Sequence, residues 1–359
     1  MANLLHELYE RDRGVWDACA ATYEERIVHG HPDVTAYEEF EEDLLDRLLL
    51  FLARDCEKDL ALYDVGCGSG RLHLRYACQS VVAEELGAEE QKRLLQARRD
   101  NPKYAYEPYI AQRLRSIGGI DFSHEMLELA AAKLRAAGLG ELIGQRCGLD
   151  QGSAFKLAPF ASAPLPVVVS VCNSIGVMQG EVGAQALFQS MARTVAESGG
   201  IAIISAYRRE TVADFALGNY ESTMDVCGQP RWLKPETHST QRQVPRLYKR
   251  AYDKNPSVVV DVYDEAGNLI QENHTLMRDE QLARQTVETG QIRTHSGYES
   301  NWYSWEQFEE WIAAYWPAGQ CYHLAGKSLD ALRGAPAQFA VLDASGLLAP
   351  LLQRWNKEA

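Results

Sequence analysis

Three short stretches carry residue types that could do chemistry. The first is Leu62-Tyr63-Asp64-Val65-Gly66-Cys67-Gly68-Ser69-Gly70, where an apolar run passes straight into three glycines. A strand that must turn sharply into a helix while its backbone approaches a ligand needs glycine, because a side chain would block the approach. The first turn of the helix that follows offers free N–H groups and a field that favours an anion. The second stretch is Gly119-Ile120-Asp121-Phe122-Ser123-His124-Glu125-Met126-Leu127. Asp121 ends a predicted strand there, and a carboxylate in that place can accept both hydroxyls of a ribose. The third is Val169-Ser170-Val171-Cys172-Asn173-Ser174-Ile175-Gly176-Val177, which puts Asn173 at the carboxyl end of a valine-rich strand. Taken singly, each also reads as turn chemistry or a helix cap. Their order on successive strand–helix junctions is what points to one ligand site.

The glycine spacing separates two ligand classes. A dinucleotide fingerprint is G-x-G-x-x-G, and its third glycine position is Arg71 here. The loop is instead G-x-G-x-G with an acid two residues before the first glycine. This resembles the class I (Rossmann-like) S-adenosylmethionine-dependent methyltransferases, over residues 58 to 207 and the last two strands. The resemblance implies that Asp64, Gly66, Cys67, Gly68 and Gly70 lie beside the methionine end of the cofactor. It implies that Asp121 binds ribose, that Phe122 and Met126 flank adenine, and that Leu149 and Asp150 belong to the adenine-edge loop. Cys172 and Asn173 would lie near the sulfonium, and Tyr23 would reach the cofactor from an amino-terminal lid. Asn173 and Tyr207 are the candidates closest to the transfer itself. One departure stands out: the acid this family often carries at the start of the third stretch's strand is absent, with Pro164 or Pro166 there instead.

Stepping from these residues to the elements that must hold them, the pattern is strand alternating with helix. Trp16, Cys19, Tyr23 and Ile27, then Phe40, Leu44, Leu45, Leu48 and Leu52, recur at helical spacing and predict helices over residues 1 to 56. Leu60–Val65 reads as a strand, 72 to 86 as a helix, and 87 to 116 as a charged insertion broken by Asn101-Pro102 and Glu107-Pro108. Residues 119 to 122 read as the second strand. Ser123 caps the next helix, which ends at Gly138 or Gly140. The continuous apolar run 165 to 172 is the mark of a strand covered on both faces. A helix over 183 to 196 and a strand over 201 to 206 follow. Such alternation predicts right-handed βαβ units in an α/β Rossmann-like fold, a seven-stranded mostly parallel sheet with helices on both faces. Added to it are a helical amino-terminal lid (1–56) and an inserted α+β cap (208–300) with a hairpin around Asp264–Asn268. Residues 301 to 359 supply a helix capped by Ser304 and Gln307 and the last two strands.

Composition narrows the function. Among 359 residues, 46% are hydrophobic and 24% charged, and the formal net charge is −14. So acidic a chain repels phosphate backbones and anionic lipids, which argues against nucleic acid or membrane partners. The densest basic run, Arg242 to Lys254, reads as a solvated face. Eight scattered cysteines show no CxxC and no paired His/Cys spacing, so neither a zinc site nor a disulfide framework is indicated, and no metal is expected. Met1–Glu10 lacks the form of a secretory signal, and a reducing cytoplasm is the expected home. A homodimer is left open.

The expected activity is methyl transfer from S-adenosylmethionine to a small polar, amino acid-like metabolite. Such transfer asks mainly for alignment, and no catalytic dyad is evident. Candidate substrate walls are Trp16, Tyr23, His29 and His31 of the lid, Tyr207, Arg208 and Arg209 after the fifth strand, and Tyr220, Glu221, Trp232, His238, Trp302 and Tyr303. Two other readings stand beside it. One is a different use of the same cofactor: aminocarboxypropyl transfer, or cyclisation to azetidine-2-carboxylate, releasing methylthioadenosine. The other is a non-catalytic binding module.

Overall fold

A computed structural model describes residues 13–14, 16–17, 20, 23, 41–42, 44–80, 108–178, 180–207, 222–224, 230–232, 247–249, 259–263, 269–275, 291–293, 299–301, 303–316, 320–325 and 337–351. Its centre is a seven-stranded sheet. In chain order the core elements are β1 (Leu60–Val65), α1 (Arg71–Ser80), α2 (Pro108–Arg113), β2 (Leu114–Asp121), α3 (His124–Ala136), β3 (Asp150–Gln151), β4 (Leu165–Ser170), α4 (Gly180–Ser198) and β5 (Ile201–Tyr207). After a set of short strands come α5 (Trp305–Tyr315), β13 (Gln320–Ala325) and β14 (Ala337–Asp343). The sheet order is β13-β14-β5-β4-β1-β2-β3. β1 pairs in parallel with β2 and β4, β4 with β5, and β2 with β3, while β14 runs antiparallel to both β5 and β13. This is a Rossmann-like, mostly parallel sheet with helices on both faces. The strand order reverses between β1 and β4, and ligands of open α/β sheets bind in the crevice such a reversal opens.

The strands are nearly wholly apolar because both faces are covered. Side chains alternate with period two between two cores. Leu60, Leu62, Val167, Val169, Ile201, Ile203, Phe339 and Val341 join one core with α1 and residues 44 to 53. Val65, Val168, Ala202, Ile204, Ala340 and Leu342 join the other with α4 and α5. α4 contributes Leu187, Met191 and Val195, spaced four apart, with Phe188 beside them, and Phe188 meets Phe308 and Trp311 of α5 edge-on. The Ser304–Gln307 capping box is present.

Three boundaries differ from the sequence reading. Residues 108 to 116, expected in a charged insertion, form α2 and the start of β2. Leu114 and Ile117 are buried there, and the arginines that disguised the strand, Arg113 and Arg115, turn outward to Asp59 at 3.2 and 3.0 Å. Residues 44 to 53 of the expected lid are a layer of the core, with Leu44, Leu45, Leu48, Leu49 and Leu52 buried beneath the sheet. β4 ends at Ser170, because Cys172 and Asn173 both take left-handed backbone angles.

Within the expected cap, β6 (Ser222–Met224) pairs with β7 (Pro230–Trp232), and β8 (Leu247–Lys249), β9 (Val259–Tyr263) and β10 (Leu269–Thr275) form a three-stranded antiparallel sheet. β9 and β10 are the expected hairpin. β11 (Gln291–Arg293) pairs with β12 (Glu299–Asn301). Among the described residues, no helix is long and apolar enough to cross a membrane.

Candidate functional site

The site is built from what leaves the carboxyl ends of β1, β2, β4 and β5. At β1 the chain turns through Gly66, Cys67, Gly68, Ser69 and Gly70. Gly66 and Cys67 N–H groups both donate to Ile120 O, at 2.8 and 3.1 Å, which ties the loop to β2. Two glycines are required for different reasons. At Gly70 φ is +74° and a Cβ would fall 2.7 Å from Ala130 Cβ, so α1 and α3 can approach only because it is absent. At Gly68 φ is +49° and, among the described residues beyond its chain neighbours, no atom lies within 4 Å of where a Cβ would stand, so that side of the loop is open to them.

Asp121 closes the loop from the β2 side. Gly68 N–H donates to its Oδ2 at 2.8 Å and Ser123 N–H to its Oδ1 at 2.9 Å. Burial pushes this carboxyl up to about 6; backbone N–H groups oppose the shift and Asp17 adds to it. Ser123 caps α3 by accepting from Met126 N–H (3.1 Å) and donates its own hydroxyl to Asp17 Oδ1 (2.6 Å). The amino-terminal segment therefore touches the second junction. Beside Asp121 lies a cleft of about 300 Å³ lined by Gly66, Ile120, Asp121, Phe122, Gly152, Ser153, Ala154, Phe155 and Met178.

Asp64 sits one residue before the end of β1 and is buried, and its Oδ1 has no hydrogen-bond partner among the described residues. Burial pushes it up to about 7; Arg71 opposes this, while Asp121 and Glu41 reinforce it. Cys67 is also buried, and its thiol is pushed well up by burial and by Asp121 and Asp64. At neutral pH it is a packed thiol, not a nucleophile.

The β4 and β5 ends form the opposite rim. Asn173 Oδ1 accepts from Tyr207 N–H at 3.0 Å, and Asn173 O accepts from Gly176 N–H at 2.8 Å. Asn301 Nδ2 donates to Gly176 O (2.9 Å), and Tyr303 N–H donates to Tyr207 O (3.2 Å). The chain returning from the cap is thereby bound to both strand ends.

Of the residues expected at a cofactor site, the structure brings Asp64, Gly66, Cys67, Gly68, Gly70, Asp121 and Phe122 together, with Cys172 and Asn173 across the switch point. Met126 is buried on the inner side of α3 and does not line the cleft; Met178 does. Leu149 packs against the core and Asp150 is exposed on β3, and the wall there is residues 152 to 155. Tyr23 lies edge-on to Trp16 at 5.8 Å and is not in the cleft wall. Tyr207 packs partly on the core, and its bonds to Asn173 and Tyr303 run through its backbone. Tyr303 is buried against Trp311 in the α4–α5 core. His29, His31, Arg208, Arg209, Tyr220, Glu221, His238, Trp302 and the side chain of Trp232 lie outside the described residues.

One residue escaped the sequence reading. Glu41 is fully buried and reaches both rims. Its Oε1 accepts from Cys172 N–H (2.6 Å) and Ser205 Oγ–H (2.5 Å), and its Oε2 from Arg71 Nη2 (2.8 Å). Burial raises its carboxyl, and these partners oppose the shift. Arg71 continues to Glu42 (3.0 Å), Glu42 to Arg75 (2.8 Å), and Arg75 to Asp46. A signal for it existed: Glu41 falls on the same helical stripe as Leu44, Leu45 and Leu48, where a carboxylate must be buried and therefore partnered.

No family model and no curated protein matches the chain. Several solved structures are similar to it at low identity. One is an S-adenosylmethionine-dependent methyltransferase from Clostridium acetobutylicum, 12% identical, TM-score 0.43, covering 91% of this chain and 98% of that one. Another is the CcbJ methyltransferase from Streptomyces caelestis, 10% identical, TM-score 0.41, covering 82% and 92%. A third is S-adenosylmethionine-bound CalS10, an amino pentose methyltransferase from Micromonospora echinaspora, 14% identical, TM-score 0.38, covering 90% and 95%.

Proposed function

We propose that the chain binds S-adenosylmethionine across the junctions after β1, β2 and β4 and uses it to methylate a small, polar, amino acid-like metabolite. The observation that carries this reading is the Asp121 carboxylate. It stands at the edge of an apolar-walled cleft, oriented by Gly68 and Ser123 N–H groups, beside a glycine loop whose Gly68 side is open.

Three features suit that cofactor. Asp64 offers a buried oxygen without a partner, which a nearby cation would satisfy. Phe122, Phe155 and Met178 offer apolar walls for a planar base. Asp121 keeps acceptor capacity for a vicinal diol beside its backbone bonds. Asp64 would face the methionine ammonium and Asp121 the ribose. Once bound, the sulfonium supplies a methyl carbon that is already activated. The work left to this chain is alignment and exclusion of water at the rim formed by Asn173 and Tyr207.

Incubation with S-adenosylmethionine and a metabolite extract, followed by mass spectrometry of the cofactor products, tests the reading. S-adenosylhomocysteine together with a metabolite 14 mass units heavier is the expected result, the increment being that of about one CH₂. Methylthioadenosine would replace methylation by aminocarboxypropyl transfer or cyclisation. Binding without either product would leave a non-catalytic module.

A further inference from the structure

We infer that Glu41 is a positioning residue for the acceptor side of the site: it holds the Cys172–Asn173 turn in shape and joins it to the helix that follows the glycine loop. The inference rests on the reading of that rim as the place of methyl transfer. Cys172 and Asn173 are consecutive residues at φ +56° and +54°, a conformation that a Cβ disfavours and that persists only where the surroundings impose it. Local bonds close the turn, Ser174 N–H and Oγ–H both donating to Val171 O at 3.2 and 2.7 Å, and two bonds from distant residues anchor it. Glu41 Oε1 takes the Cys172 N–H at 2.6 Å, and Asn173 Oδ1 takes the Tyr207 N–H at 3.0 Å. Gly176 lets the turn close, since a Cβ there would lie 2.3 Å from Asn173 Nδ2.

Glu41 also fastens the turn to its neighbours. Its Oε1 accepts from Ser205 on β5, and its Oε2 pairs with Arg71, the first residue of α1, directly after Gly70. Strand parity explains how one carboxylate reaches both. Ser205 follows Ile201 and Ile203 on the face of the sheet on which residues 44 to 53 pack, so its hydroxyl is presented to the helix that carries Glu41. A fully buried carboxylate with hydrogen bonds from the turn after β4, from β5 and from α1 is what a shared clamp between the cofactor loop and the acceptor turn requires.

The Cys172 thiol, half-buried on the turn, reports on it directly. The test is residue-resolved iodoacetamide labelling of the full chain, read by peptide mass spectrometry, for the wild type, Glu41→Ala and Glu41→Asp. Aspartate keeps the charge and the pairing with Arg71 but is one methylene too short to reach Cys172 as well. In both variants Cys172 is expected to label at least about tenfold faster, as loss of a hydrogen bond to a charged acceptor implies. Cys67 and Cys147, buried elsewhere, are expected to stay at wild-type rates. Should Glu41→Ala not fold, Glu41→Asp decides alone. Cys172 labelling within about twofold of wild type in Glu41→Asp would overturn the inference. So would acceleration of all three cysteines together, which marks general loosening rather than release of one turn. Calorimetry of the wild type with S-adenosylhomocysteine separates the two claims. Absence of binding with Cys172 still under Glu41 control would fault the cofactor reading and leave the clamp standing.

Discussion

On the β1–β2 side of the rim, left-handed backbone is supplied by glycine: Gly66, Gly68 and Gly70 have φ of +79°, +49° and +74°. On the β4–β5 side, the same conformation is taken by Cys172 and Asn173, which have side chains. Beside the local bonds of Ser174 to Val171 O, a carboxylate 131 residues away in sequence anchors it there, Glu41 on the Cys172 N–H. The first side takes this backbone through glycine, the second through residues with a Cβ that local and tertiary bonds together hold in place. At Gly70 the first side should therefore not tolerate added atoms, and the Cys172–Asn173 turn should not tolerate loss of its distant partner.

The largest expected effect breaks the glycine side. Gly70→Val places atoms against Ala130, 2.7 Å from the added Cβ, and adds left-handed strain. It should cost about 3–4 kcal/mol of stability, measured by denaturant unfolding. Gly68→Ala meets no neighbour, so only the dihedral cost of about 1 kcal/mol is expected, yet cofactor affinity should fall because the open side is filled. Equal stability losses in the two variants would contradict the different tasks given to the two glycines.

On the other side, Asn173→Ala should cost about 2–3 kcal/mol, since it removes the side-chain acceptor of the Tyr207 N–H and keeps a Cβ in left-handed backbone. Asn173→Gly should recover about 1 kcal/mol of that. If glycine proves no better than alanine there, strain at this turn is not what its surroundings hold.

These contrasts explain what could be read without coordinates. The glycine loop and Asp121 are legible because their constraints are local: a sharp turn needs glycine, and a strand-end acid precedes its own cap, Ser123. β1, the β9–β10 hairpin and the α5 capping box are legible for the same reason. Glu41 sat within an acidic run, Glu41-Glu42-Asp43, and only its place on a leucine stripe marked it. Met126 and Met178 exchange places because helix periodicity marks an apolar face but not whether that face meets core or cleft. The start of β2 was hidden by Arg113 and Arg115, whose partner Asp59 is distant in sequence.

A smaller effect concerns pH. Asp64 is raised to about 7 and Asp121 to about 6, both above their ordinary value. The folded chain therefore binds these protons more tightly than the unfolded one, and their contribution to stability is present in acid and is lost as pH rises from about 4 to 7. A cationic ligand prefers the ionised carboxylates, so its affinity should run the opposite way. Titration with S-adenosylmethionine should give up to about tenfold tighter binding at pH 8 than at pH 6, from Asp64 ionisation alone. A flat profile would separate Asp64 from the cation.

The central claim is that the glycine loop, Asp64 and Asp121 form one cofactor site, and calorimetry of the wild type beside Asp121→Ala with S-adenosylmethionine tests it most directly. The account predicts one site per chain and a loss of about 1–3 kcal/mol in the variant, or about 5- to 150-fold in affinity, at unchanged unfolding cooperativity. No heat with the folded wild type, or the same affinity in both proteins, would contradict it.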